Sequence, residues 1–242
     1  MRLYQRVSTA HLYTAGLGLL LSIIALAALV RKLEFMILGV GLDSLFIASV
    51  YCVGMFVISR ITKDSIDIHL SLQDFEKEVI RKDQPFLSKR RAFINFMLAA
   101  LAIMGAGTIL SISGDTLAEI TGLGSTFIGS FLLAATTSLP EAVAVLIALK
   151  LRNINMAVGS ILGSNIFNML ILVGSDIVYP TGPILANVSP LHEITAYTVS
   201  ILYVFVIMSL IRKKNVSIFS YMLPSLLIIA GYFVATYLIF NS

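Results

Sequence analysis

Glu141 stands inside an apolar run, four residues after Thr137 and three after Ser138, in the string Thr136-Thr137-Ser138-Leu139-Pro140-Glu141. A charged side chain at the centre of a bilayer costs about 2.5–3.5 kcal/mol on insertion scales given for Asp, Lys and Arg, and Glu is expected to be of that order. An acid kept at that cost is a candidate functional group. Pro140 has no N–H and its ring clashes with the preceding turn, so the sequence predicts a broken helix here. A break frees backbone carbonyls, and lipid cannot satisfy them unless they face protein or a wet cavity. If the helix is roughly kept, Thr137 and Ser138 share the face of Glu141. A carboxylate, two hydroxyls and loose carbonyls are hard oxygen donors, suited to Ca²⁺ or Na⁺ and poor for soft metals.

A second polar stretch lies about one span further on, in Gly159-Ser160-Ile161-Leu162-Gly163-Ser164-Asn165-Ile166-Phe167-Asn168. Ser164 and Asn168 are four apart and share a face that could complete an oxygen cage around Glu141. Asn165 projects elsewhere and reads as a brace on a neighbouring helix. Gly159 and Gly163, also four apart, read first as a helix-packing surface. His11 and His192 have no partner at metal-ligand spacing, and no GxxxxGK[ST] word points to a nucleotide-driven pump.

These residues need elements to hold them, and composition says which. The chain has 242 residues, 58% hydrophobic and only 12% charged, against about 25% charged in soluble domains. Its apolar runs imply an all-α polytopic membrane protein with about seven transmembrane helices, one of them broken at the TSLPE string. The expected spans are 9–30, 36–59, 92–112, 123–149, 156–178, 194–211 and 218–240. The first is long enough to span and has no small-residue cleavage site after it, so no cleavable signal peptide is needed. Alternate loops then fall on opposite sides, and every Lys and Arg except Arg31 and Lys32 falls on the side of the N-terminus. By the positive-inside rule the N-terminus is expected in the cytoplasm and the C-terminus outside, in a cell (inner) membrane. The net charge of +4 is thus a topology signal and not a nucleic-acid signal.

The organisation expected is a two-helix membrane hairpin over 1–60, a cytoplasmic loop over 61–91 and a five-helix membrane domain over 92–242. Leu70, Leu72, Phe75 and Val79 suggest a short amphipathic helix in the loop. Asp43 and Asp176 fall toward the outer ends of their spans and read as hydrated interfacial residues. Asp115 and Glu119 read as flanking an outer turn, as cation attractors or helix caps.

The segment 114–174 resembles the α-repeat of the cation/calcium exchanger superfamily. The words that carry the resemblance are GDTLAEITGLGSTFIGSFLLAATTSLPEAVAVLIALK and AVGSILGSNIFNMLILVG. The resemblance implies two such repeats of opposite orientation around transported Ca²⁺ and Na⁺, with no further cofactor. It implies Glu141 as the carboxylate both ions share, Thr137, Ser138 and the Ala134 carbonyl as further ligands, and Ser164 and Asn168 as ligands from the next helix. Thr136 stands where the family usually has Gly, which adds bulk at the break. Asn168 stands where one of the two repeats often has Asp, which lowers the negative charge.

One repeat is found, with no second SLPE or GSN word. The seven spans match the last seven of a ten-span exchanger, so the first repeat is expected from a partner chain or an oligomer. The expected function is secondary cation antiport by alternating access, with lipid, inorganic cations and a second exchanger half as partners. The alternative is a non-transporting half-exchanger subunit or truncated remnant. Neither is an enzyme.

Overall fold

The structure, a computed structural model, describes residues 10–37, 39–80, 88–122, 127–211 and 218–241. Helix α1 (Ala10–Arg31) leads to a hairpin of two-residue strands, β1 (Met36–Ile37) and β2 (Val40–Gly41). Then come α2 (Leu42–Ile80), α3 (Lys89–Thr121), a π-helical stretch (Ile128–Leu133), α4 (Ala134–Thr137) and α5 (Leu139–Lys150). Helices α6 (Ile154–Val178), α7 (Ile184–Asn187), α8 (Leu191–Ile211) and α9 (Ile218–Phe240) complete the order. Among the described residues six helices are long and apolar enough to cross a membrane, and the bent pair Phe131–Thr137 and Leu139–Lys150, taken as one span, makes a seventh. The chain is an all-α polytopic membrane protein.

Helix α1 sits at the centre, packed between α2, α6 and α8. Its buried side chains Leu17, Leu21, Ala25 and Ala28 recur every three or four residues, the period that makes one helix face. Apolar side chains gain little by leaving lipid for each other, so membrane helices associate through close packing at small residues. Gly18 shows this directly, because a Cβ there would overlap the ring of Tyr203 on α8. Leu17 and Leu21 meet Ile47 of α2 and Ile166 and Val173 of α6 in one core.

Several boundaries differ from the sequence expectation for physical reasons. Met36, Ile37, Val40 and Gly41 do not begin a span. They form the antiparallel hairpin, with Ile37 opposite Val40 and Gly39 at φ +83° in its turn. Helix α2 runs unbroken for 39 residues, about 58 Å at 1.5 Å per residue, so its span and the expected loop helix are continuous. The expected apolar face at Leu70, Leu72, Phe75 and Val79 lies outside the described side chains. The basic residues of 1–9 and 212–217 lie outside the described residues altogether. Helix α3 continues past 112 to Thr121 and stops at Gly122, whose φ of +69° supplies the left-handed cap. Asp115 and Glu119 therefore sit on the last turns of α3, inside the helix and not at a cap.

Candidate functional site in the broken span

The seventh span breaks at one residue. The segments Phe131–Thr137 and Leu139–Lys150 bend by 44° about Ser138. Pro140 sits at the start of α5, where a missing N–H costs least, and it has none to return to the carbonyl of Thr136. The chain does not unwind on either side. Ser138 keeps right-handed helical dihedrals (φ −86°, ψ −1°), and its N–H reaches the Ala134 carbonyl at 3.1 Å. The sequence suggests two half-helices joined by loose backbone. The two half-helices are there, joined by a single kinked turn whose backbone stays hydrogen-bonded.

Glu141 falls in the first turn of α5, where the helix dipole favours a negative charge. Its Oε2 is buried and has no hydrogen-bond partner. That is the outstanding electrostatic feature of the span, because an unsatisfied buried carboxylate oxygen carries its full desolvation cost. Ser138, three residues earlier, is exposed and its side chain caps nothing.

The other expected donors are turned toward their own helix. The Thr137 hydroxyl donates to the carbonyls of Leu133 at 2.9 Å and Ala134 at 3.2 Å. The Ala134 carbonyl thus accepts from both Ser138 and Thr137. Thr136 donates in the same way to Leu132 at 2.8 Å, and the Ser164 hydroxyl donates to Ile161 at 3.2 Å. Such back-bonding is the ordinary resting state of hydroxyls in membrane helices.

Helix α5 packs along α6, so the broken span lies against the helix that carries Ser164 and Asn168. Asn168 lines a cavity of about 440 Å³ between α6, α8 and α9, with Leu162, Met169, Tyr203 and Ile228. Asn165 lines the same cavity. Residues three apart on a helix are neighbours, and that spacing is the available signal. Glu141 does not line this cavity. The structure therefore brings α5 and α6 together without placing Glu141 and Asn168 on one void. Among the described residues, no three of His, Cys, Asp and Glu gather as a metal cluster. The two glycines divide their roles. A Cβ on Gly159 would lie 3.1 Å from His11 of α1, whereas Gly163 faces open space.

The fold and the kinked, acid-bearing span define a multi-pass membrane protein. The family model described as sodium/calcium exchanger protein matches residues 91–241, more than half of the chain. The chain belongs to that family. A putative antiporter, CaxA of Alkalimonas amylolytica, is 36% identical over 90 residues, which cover 37% of this chain and 28% of CaxA. The sodium/calcium exchanger MaX1 of Methanosarcina acetivorans is 41% identical over 64 residues, which cover 26% of this chain and 18% of MaX1. The matched stretches span less than a third of either relative. No solved structure matches the chain.

Proposed function

We propose that this chain is part of a secondary antiporter that exchanges Na⁺ for Ca²⁺ by alternating access, with Glu141 as the carboxylate the two ions share. The observation that carries this reading is the buried, unpartnered Oε2 of Glu141 one turn after a 44° kink. A transported cation would satisfy that oxygen and offset its desolvation. Competition of both ions for one carboxylate would couple their movements. Thr137, Ser138 and the Ala134 carbonyl would join it once their back-bonds are exchanged for the ion. Ser164 and Asn168 would close the cage from α6 after a shift of α5 against it.

The donors on this chain do not enclose an ion alone. A second repeat, supplied by a partner chain in the opposite orientation, would complete the cage. Leu101 is 63% exposed, Ile103 71% and Leu139 59%, apolar faces that lipid or a second repeat would cover. The positive-inside count favours a cytoplasmic N-terminus and a C-terminus outside. One competing reading is a subunit that keeps the fold without transporting.

Na⁺-gradient-driven Ca²⁺ uptake into proteoliposomes separates the two. The antiporter reading expects gradient-dependent uptake, from this chain alone or after a first repeat is added in trans, and its loss in Glu141→Gln. No uptake under either condition leaves the non-transporting subunit.

A further inference from the structure

Two other acids lie buried at the opposite end of the bundle from the N-terminus of α1. Asp176, in the last turn of α6, is 1% exposed, and Asp43, in the first turn of α2, is 6% exposed. The sequence suggests hydrated interfacial positions for both, and the structure corrects this. Asp176 accepts from the Gly41 N–H at 2.8 Å through Oδ2 and from the Ile184 N–H at 2.6 Å through Oδ1. It thereby ties the hairpin to the start of α7. Asp43 Oδ1 accepts from the Ser44 N–H at 2.9 Å. Both carboxylates crowd the same side of Gly41, where a Cβ would overlap Asp43 Oδ1 and lie 3.1 Å from Asp176 Oδ2.

Two oxygens at this point remain unsatisfied. Asp43 Oδ2 is buried without a hydrogen-bond partner, and so is the hydroxyl of Ser44, a residue that is 0% exposed. Two buried carboxylates side by side repel, and a cation or a shared proton between them relieves the repulsion. A proton on Asp43 is the competing occupant, because water in the adjoining cavity or the free lone pair of Asp176 Oδ2 could accept from it. Arg31 lines a cavity of about 350 Å³ beside Asp43, together with Ala28, Leu33 and Phe46. That cavity has room for water, and Arg31 is placed to compete for the carboxylate.

We propose that Asp43, Ser44 and Asp176 form a second cation site, separate from Glu141, that takes a hard divalent ion of the Ca²⁺ class. Asp43 Oδ2 and Ser44 Oγ supply free lone pairs, and Asp176 Oδ2 keeps one beyond its N–H bond. The two carboxylates neutralise a divalent charge. Water from the cavity completes the six to eight oxygens such an ion takes. So small a protein donor set belongs with weak sites, with a Kd of about 10⁻⁴–10⁻³ M. The bound ion would fasten the β1–β2 hairpin and α7 onto the ends of α2 and α6. The site would thus hold one mouth of the bundle together.

The test is calorimetric titration of CaCl₂ into the purified full chain in nanodiscs of zwitterionic lipid, in a Glu141→Gln background. That background removes the proposed transport carboxylate, so the two sites cannot be confused. Saturable binding is expected there, weakened ~10-fold or more by Asp43→Asn and less by Ser44→Ala. Arg31→Gln is expected to leave it equal or tighter. If Asp43→Asn loses helicity or monodispersity, Ser44→Ala carries the test, since its hydroxyl makes no hydrogen bond in the structure. The proposal is overturned if the Glu141→Gln protein shows no saturable Ca²⁺ binding. Binding that ignores both substitutions, or that NaCl reproduces at equal concentration, overturns it as well.

Discussion

The bundle around α1 and the wing formed by α3, the π-helical stretch and α5 are built on opposite terms. In the most apolar stretch of α1, 44% of residues are buried; in that of α3, none are. The bundle closes through small residues that let helices touch, with Gly18 under Tyr203 and Gly54 against Leu17. The wing touches itself at few places, one of them Gly114 against Leu133. Yet the wing carries Glu141, the π-helical stretch and the kink. Packing makes a region stable on its own. Bistable or completed-by-contact function is drawn from regions where packing is thin. The ion-binding candidate thus sits on a thinly packed wing that the bundle holds through α5 against α6, and the bundle serves as its frame.

Substitutions on each side probe this contrast. Leu21→Ala on α1, where the side chain is 0% exposed, should cost about 2–5 kcal/mol and show as a lower temperature of heat-induced aggregation. A melt unchanged from wild type would mean α1 is not the frame. Gly18→Val should cost about 1–3 kcal/mol by driving a side chain into Tyr203. The same melt reads it, and relief by Tyr203→Ala would trace the effect to that contact. Asp176→Asn should cost about 1–3 kcal/mol, because one amide oxygen cannot serve both the Gly41 and Ile184 N–H groups. Protease nicking near the hairpin would report the loosening, and an unchanged digest would show that the clasp is dispensable. Ile103→Ala on α3, at 71% exposure, should shift stability by no more than about 0.5 kcal/mol. A large loss there would show that the wing is packed against something in the purified protein.

The membrane architecture is legible in the amino-acid sequence. The length of the apolar runs yields seven spans, and Pro140 beside Glu141 marks the broken one. What the sequence hides depends on contacts between distant segments. Asp43 and Asp176 read as hydrated because span ends usually are, and only the fold brings Gly41 to Asp176 across 135 residues. The stretch 36–41 is as apolar as a helix start, and hydropathy does not separate a hairpin from one. Arg60 reads as the end of a span, but a charge ends membrane burial without ending helix, and α2 continues to Ile80. Polar residues after 112 likewise lower hydropathy in α3 without stopping it. The candidate site is legible as residue types on helix faces. Its geometry is not, because Asn165 and Asn168 turn to a cavity set by α8 and α9, and Thr137 and Ser164 bond back to their own turns.

If Glu141 holds the transported cation, the ion must shield its carboxyl from reagents, and carbodiimide labelling in the membrane reads that shielding. The reagent modifies buried carboxyl groups, and peptide mapping distinguishes Glu141 from Asp43 and Asp176. Glu141 should be modified in ion-free buffer and protected by Ca²⁺ and, at higher concentration, by Na⁺. Modification of Glu141 to the same extent with and without both ions would show that it does not hold the transported cation.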